Sequence, residues 1–235
     1  MLRKRSLVIG IVCLAGIVLL LQWSVSTSVF RSRRWSHVTE CRSHLKVIGL
    51  ALDQYHNDFG SYPPVWVADE RGRPLYSWRV LLLPYLDNPI IYERFRLDEP
   101  WDSPHNIQYA KADFKIFRCP ACTNEPGTTN YVAVISEAGS WRGPTSLTKE
   151  DFTEMLDSTI WVVEQDGLKI CWSEPRDLKF DDIPLRVNDP SGIGIGSRHE
   201  EGGAVSLSIN GKVQFLKNSL TRQRLADILG GAISE

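Results

Sequence analysis

The N-terminal part of the chain carries two different apolar patterns. From Leu7 to Trp23 most positions are apolar, and no charged residue lies between Arg5 and Arg31. As a helix, this uncharged interval would span roughly 37 Å, enough to cross a hydrocarbon core of about 30 Å. After Arg34 the apolar residues recur every three or four positions, which predicts a helix with one buried face. That stripe consists of Val38, Cys41, Leu45, Ile48, Leu52, Tyr55 and Phe59.

The uninterrupted apolar segment has two interpretations. We favour a retained single-pass membrane anchor, because its length suits a bilayer. The alternative is a secretory signal peptide cleaved near Ser26, since a basic start and an apolar stretch precede small residues. Both interpretations place residues 35–235 outside the cytoplasm. Three basic residues flank each side of the segment, so the charge distribution does not fix its orientation.

The remaining sequence predicts short helices and an antiparallel sheet. Gly60 is expected to end the long helix, and Ser77 to cap a short one. Asn210-Gly211 is typical of a type I′ turn between two strands. Helices are predicted at Trp78–Leu83, from Pro89 and at Leu220–Leu229, and strands at Phe114–Cys119, Tyr131–Ser136, Thr159–Gln165, Lys169–Trp172, Ala204–Ile209 and Lys212–Lys217. The prediction is an α+β fold, with an anchor at 1–34 and one domain at 35–235.

Charge is distributed unevenly along the 235 residues. The formal net charge is -1, yet residues 1–34 contain six basic and no acidic residues, which leaves 21 minus 28, or -7, for residues 35–235. An acidic domain of this kind gives no support to a nucleic-acid partner, which needs a clustered basic face. At 43% hydrophobic residues, the chain can bury an ordinary core.

A series of sequence blocks resembles one family, the domain of unknown function 1559, whose members are pilin-like, prepilin-type exported proteins. The resemblance implies a long N-terminal helix, transmembrane and then amphipathic, packed on an antiparallel sheet. It also implies a membrane-anchored subunit related to type IV pilins and type II secretion pseudopilins, with no established reaction. The blocks are Cys41–Pro64, Ser77–Leu86, Pro100–Asn106, Phe117–Pro120, Asn130–Val134, Trp161–Glu164, Trp172–Pro175 and Ser197–His199 with the following hairpin.

The chain departs from the family pattern at its start. A prepilin leader has Gly at the cleavage point and Glu five residues later, whereas here Gly10 is followed by Ala15. This difference argues against leader processing and filament assembly. At the hairpin turn Asn210 replaces the usual Asp, an exchange that preserves the turn.

The four cysteines of the exported domain are disulfide candidates. Outside the cytoplasm, Cys41, Cys119, Cys122 and Cys171 allow three pairings. The family resemblance implies a Cys41–Cys119 bridge, which leaves Cys122 to pair with Cys171. The Cys119-Pro-Ala-Cys122 spacing also admits a zinc site or a thioredoxin-type centre. However, no second CxxC follows, and the residues after Cys122 do not favour a helix start.

Few other residues suggest chemistry. His199, with Glu201 and His105, is the best candidate centre for a metal-dependent hydrolase, although a loop spacing alone specifies no catalytic geometry. Trp66, Trp101 and Trp141 fall in predicted loops and are candidates for exposed binding contacts, whereas Trp78 and Trp161 are expected in the core. We therefore assign no catalytic, cofactor-binding or metal-binding residue.

These observations favour a structural or interaction protein rather than an enzyme. We expect a single-pass protein of the cell membrane, with its domain outside the cytoplasm. Its expected partners are the lipid bilayer and other envelope proteins or a cell-surface polymer, with no cofactor. One alternative is a secreted or periplasmic ligand-binding module released by signal cleavage. A second, less favoured alternative is an envelope metal-dependent hydrolase.

Overall fold

The computed structural model describes residues 2–86, 88–122, 125–136, 141–152 and 159–230, with side chains described at 16–23 and from 37 onward within these ranges. The chain divides into two compact units, residues 1–37 and residues 38–235. We describe each unit by itself.

Helix α1 is the longest element and extends over Leu2–Phe59. Its first part contains the predicted membrane segment, of which Leu7–Ala15 falls outside the described side chains. Exposed apolar side chains follow in the described part, including Leu19 at 65% and Trp23 at 69%. Among the described residues, we find no helix with the length and apolar character that a membrane crossing requires.

The second part of α1 buries the predicted stripe. Cys41, Leu45, Ile48 and Leu52 have no exposed surface, which confirms the three-and-four spacing. The stripe ends earlier than predicted, because Phe59 is 63% exposed. Gly60 ends the helix as expected: its φ is +72°, and its N–H donates to the His56 carbonyl at 2.8 Å.

The strands of the described residues form one main sheet and two smaller pairs. They are β1 Trp66–Ala68, β2 Pro74–Ser77, β3 Thr128–Thr129, β4 Tyr131–Ile135, β5 Ile160–Glu164, β6 Ile170–Cys171, β7 Leu178–Lys179, β8 Gly203–Ser208 and β9 Val213–Lys217. The main sheet has five strands in the order β7-β4-β5-β8-β9. All neighbours are antiparallel except β4 and β7, which are parallel. The smaller pairs, β1-β2 and β3-β6, are antiparallel.

Both faces of the main sheet are covered. On β4, Tyr131 and Ala133 join a core with the α1 stripe, whereas the alternate residues Val132 and Val134 join a second core with the helix α5, Arg222–Ile228. This alternation is the normal period of a strand. Helix α1 approaches β8 closely, since a Cβ at Gly49 would lie 3.2 Å from the Leu207 side chain. The fold is therefore α+β, with helices on a mostly antiparallel sheet.

Short helices connect these strands. The Ser77 hydroxyl accepts from the Arg79 N–H at the start of α2, which confirms the predicted cap. A 3-10 turn at Leu83–Leu86 follows, so α2 is shorter than predicted. The helices are α2 Trp78–Leu81, α3 Pro89–Arg94, α4 Ile107–Ala110 and α5 Arg222–Ile228, with further 3-10 turns at Lys115–Phe117, Glu150–Phe152 and Phe180–Asp182.

Two local predictions were wrong. Phe114–Cys119 is not a strand, because a 3-10 turn at Lys115–Phe117 occupies it and folds Phe117 into the core. The β8-β9 turn is not type I′ either, since Gly211 has a positive φ of +75° but Asn210 does not. The Gly211 N–H donates to Ser208 O, and the Ser208 N–H to Lys212 O. This pattern fits a type I turn followed by a glycine bulge.

Candidate functional site

Four side chains from distant parts of the sequence meet inside the 38–235 unit. Cys41 comes from α1, Cys119 from the segment after the 3-10 turn, Glu164 from the end of β5, and His199 from the loop before β8. Their candidate ligand atoms all lie within 4.8 Å of one another, and all four residues are buried. We call these four residues the cysteine-histidine-glutamate cluster.

Contacts within this cluster are short. The Cys41 and Cys119 sulfurs are 3.2 Å apart. His199 Nε2 lies 3.1 Å from Glu164 Oε1 and 3.7 Å from the Cys119 sulfur. The second carboxylate oxygen, Glu164 Oε2, accepts from the Val205 N–H at 2.6 Å. One imidazole nitrogen and one carboxylate oxygen therefore face the two sulfurs.

Local structure explains why these side chains converge. Glu164 pairs with Tyr131 across β5 and β4, and strand alternation directs it away from the second core that contains its neighbour Val163. The Cys119 N–H donates to Asn130 Oδ1 at 2.9 Å, which fixes the segment after the 3-10 turn. The position of Cys41 follows from the apolar stripe of α1. Helix, sheet and connecting segment each contribute one of these three donors.

The His199 loop is held by backbone contacts. The Ser197 hydroxyl accepts from the His199 N–H at 3.2 Å and donates to Gly203 O at 2.7 Å. His199 also forms an isolated antiparallel bridge with Gly203. These bonds direct the imidazole inward, where its Nδ1 is buried and has no hydrogen-bond partner among the described residues. Ser197 therefore organises the loop, and its hydroxyl is occupied by these contacts.

Burial and close contacts shift the pKa values of the cluster. Burial acts to lower the pKa of His199, but contacts with Cys119 and Glu164 outweigh it and raise that pKa to about 10. At Cys119, a hydrogen bond with Cys122 acts to lower the pKa, but the bond with Cys41 and burial raise it to about 12. At Cys41, the bond with Cys119 acts to lower the pKa, but burial and the nearby Glu164 charge outweigh it and raise the pKa. Such thiols lack the depressed pKa of a thioredoxin-type nucleophile.

A surface pocket lies beside the cluster. Its volume is about 380 Å³, and it is lined by Glu40, His44, Lys115, Arg118, Cys119, Pro120 and Cys122. Cys119 therefore belongs both to the buried cluster and to the pocket wall. Half-buried Cys122 contacts Cys119, and this hydrogen bond and burial raise the pKa of the Cys122 thiol. The pocket therefore borders one residue of the cluster, although Cys119 itself has no exposed surface.

The structure places the four predicted disulfide cysteines in different surroundings. The Cys41 and Cys119 sulfurs lie side by side at 3.2 Å. Cys171 lies on β6, where its sulfur contacts the Ala110 carbonyl at 3.4 Å and the Ser173 hydroxyl at 3.5 Å. Cys122 instead contacts Cys119. The Cys41–Cys119 and Cys122–Cys171 pairings stay predictions.

The predicted hydrolase group does not assemble. His199 points to the buried cysteines, whereas Glu201 is exposed. His105 Nε2 instead contacts the Arg94 carbonyl at 2.9 Å. Instead, the possible metal ligands around His199 include Glu164. The sequence analysis did not identify Glu164 as a candidate ligand, because this residue ends an apolar run.

The three candidate binding tryptophans are less exposed than expected. Trp141 is fully buried, and its Nε1–H donates to the Pro63 carbonyl at 2.8 Å, so the prediction of an exposed contact was wrong. Trp66 and Trp101 are half-buried and pack against the core beside α1. Trp78 and Trp161 lie in that core, as predicted.

Residues 36–183 identify the family of this chain. They match a family model described as a protein of unknown function, DUF1559 (SBP_bac_10). The chain belongs to this family. The match includes Cys41, Cys119 and Glu164, while His199 lies beyond it. No curated protein and no solved structure matches the chain.

Proposed function

We propose that this DUF1559 protein is a membrane-anchored, exported, pilin-like structural or interaction protein without catalytic turnover. The observation that carries the proposal is helix α1, which extends over Leu2–Phe59 and buries an apolar stripe against the sheet in the 38–235 unit. A long N-terminal helix that covers one face of an antiparallel sheet is the arrangement that the family resemblance implies.

The anchor is supported by the sequence at the other end of the helix. Leu7–Trp23 is almost entirely apolar, and its described part exposes Val18, Leu19 and Leu20. Exposed apolar side chains of this density favour contact with lipid or protein. The acidic domain that follows is proposed to lie outside the cytoplasm and to contact other envelope proteins or a cell-surface polymer.

Membrane fractionation with protease digestion tests anchoring and sidedness together. The full chain should remain in the membrane pellet after alkaline carbonate extraction, and protease added to intact cells (spheroplasts if an outer membrane is present) should digest its domain. A Val18→Arg, Leu20→Arg variant should lose the pellet fraction, because each arginine costs roughly 3 kcal/mol at a bilayer centre. Arg42→Ala, on the domain part of α1, serves as a control and should stay in the pellet.

Two results would contradict the proposal. Carbonate release of the wild-type chain, with a mature N-terminus near Thr27, would favour the secreted binding module. Complete protection of the domain from external protease, while a known external protein is digested, would place it in the cytoplasm.

A further inference from the structure

We propose that the cysteine-histidine-glutamate cluster is a structural zinc site, with Cys41, Cys119, His199 and Glu164 as its four ligands. This inference is independent of the pilin-like function. It rests on the kind, number and spacing of the donors and on what the fold provides around them.

The donor set suits zinc. Two thiolate sulfurs with one imidazole nitrogen and one carboxylate oxygen combine the ligand types that Zn²⁺ accepts in proteins. Calcium and magnesium prefer sites made of oxygen, and a carboxylate is a poor partner for monovalent copper. Because all four positions come from protein, the arrangement is typical of a structural rather than a catalytic site.

The spacing also suits tetrahedral coordination. Around one zinc ion, adjacent ligands lie about 3.8 Å apart for two sulfurs, about 3.6 Å for sulfur and nitrogen, and about 3.3 Å for nitrogen and oxygen. The corresponding separations here are 3.2, 3.7 and 3.1 Å. The other three ligand pairs lie within 4.8 Å, so shifts of up to roughly 1 Å would complete the geometry.

The surroundings meet two further requirements of a metal site. Glu164 is oriented by the Val205 N–H, which holds Oε2 and leaves Oε1 directed at His199. The pocket lined by Cys119 and Cys122 borders one ligand residue.

A disulfide is the competing use of the two sulfurs. Its S–S bond would require them to approach to about 2.05 Å. It would leave Glu164 and His199, with side chains 0% and 1% exposed, as a buried ion pair with no further role. Burying an ion pair costs free energy unless its partners are well satisfied. Zinc uses all four groups, whereas a disulfide uses two.

Zinc would join four separate segments of the fold. These are α1, the segment after the 3-10 turn at Lys115–Phe117, strand β5 and the loop before β8. Because an unfolded chain does not hold these residues together, zinc binding would favour the folded domain. At zinc concentrations about 1,000 times Kd, we expect the Tm of the full chain to rise by roughly 10 °C.

Zinc stoichiometry and affinity test the proposal. The full chain is purified in mild detergent with a phosphine reductant, loaded with Zn²⁺, dialysed and analysed by mass spectrometry for metal. We expect about one zinc per chain. Cys119→Ser should weaken zinc binding at least about 100-fold in competition with a chromophoric chelator. Cys171→Ser, which removes a half-buried thiol outside the cluster, should keep wild-type affinity.

A measurement on the wild-type chain covers the case in which variants misfold. Zinc-free protein titrated with Co²⁺ should develop the intense visible bands of tetrahedral cobalt and a near-ultraviolet thiolate charge-transfer band, saturating at about one equivalent. Absence of these bands in folded, reduced protein would overturn the proposal. So would equal loss of zinc in Cys119→Ser and Cys171→Ser, or a zinc-free Cys41–Cys119 disulfide that persists after isolation under reductant.

Discussion

Two groups of buried polar side chains lie against the main sheet, and they differ in how their charges are balanced. The Arg79–Asp177 pair, at 2.5 Å, has side chains with no exposed surface. Arg79 also donates to the Tyr131 carbonyl at 3.0 Å and the Ser77 hydroxyl at 2.6 Å. Asp177 further accepts from the Ala133 N–H at 2.7 Å. Each charge of this pair is neutralised by the other.

The cysteine-histidine-glutamate cluster is balanced differently. It combines two thiols and a carboxylate, three groups that can become anionic, with a single imidazole, and a pocket borders Cys119. The ion pair balances its own charge, although Asp177 Oδ2 has no hydrogen-bond partner among the described residues. The cluster, in contrast, has the donors for a cation that the protein itself does not supply. Burial alone therefore does not identify a functional site.

The largest predicted effect concerns the ion pair. Asp177→Ala leaves Arg79 buried without a counter-charge, so the free energy of unfolding should fall by about 3–5 kcal/mol. Urea unfolding measures this loss, which should be the same with and without zinc. Glu125→Ala, which breaks an exposed pair with Lys169, is the control and should change stability little. A zinc-dependent effect of Asp177→Ala would contradict the separation of the two sites.

The second prediction concerns the cluster, where the effect should depend on zinc. In zinc-free protein, Cys119→Ser should cost about 1 kcal/mol or less, since it exchanges one small buried donor for another. At zinc concentrations about 1,000 times Kd, the wild type should be more stable than the variant by about 4 kcal/mol. Unfolding curves with zinc and with a chelator measure the difference. Equal costs in both conditions would assign Cys119 to packing alone.

The third prediction tests whether the apolar stripe is the buried face of α1. Leu45→Ala should lower the free energy of unfolding by about 3 kcal/mol, because Leu45 is fully buried one turn from Cys41. Leu50→Ala is the matched control on the same helix, since Leu50 is 54% exposed, and it should change stability little. If both substitutions cost the same, the buried face of α1 has been assigned wrongly.

The smallest predicted change in stability concerns the surface turn at Asp69 and its dependence on pH. Asp69 accepts from the Arg73 N–H at 2.8 Å, the Arg73 Nε–H at 2.7 Å and the Arg71 N–H at 2.9 Å. The backbone bond with Arg73 is the main cause that lowers the pKa of Asp69 in the folded protein. A lowered pKa stabilises the fold above the unfolded value of about 3.9, and this stabilisation is lost as pH falls through the folded value.

The contribution of Asp69 is measured by comparing the free energy of unfolding of the wild type and Asp69→Asn at several pH values. The wild type should be slightly more stable than the variant at neutral pH, and the difference should shrink as the pH falls below about 4. A stability difference that grows as the pH falls would contradict a lowered pKa of Asp69 in the folded protein.

The sequence predicted local features better than the site. The α1 stripe, the Ser77 cap and the β8-β9 strands follow from short-range periodicity and capping, which the sequence displays directly. A strand was predicted at Phe114–Cys119 because aromatic residues favour one, but packing of Phe117 in the core selected a 3-10 turn.

The cluster could not be predicted in the same way. Cys41 and His199 are separated by most of the domain, and only tertiary contacts bring them together. Glu164 ends the apolar run Ile160–Glu164, where one polar residue carries no distinct signal. A hint was available: a carboxylate at the end of a wholly buried strand needs a partner.

X-ray absorption at the zinc edge of the zinc-loaded full chain tests the zinc site most directly. The cluster predicts two sulfur ligands at about 2.3 Å and two nitrogen or oxygen ligands at about 2.0–2.1 Å. Glu164→Gln should alter the nitrogen and oxygen shell and keep both sulfurs. A shell of nitrogen and oxygen ligands alone, with no sulfur, would place the bound zinc elsewhere and contradict the assignment of these four ligands.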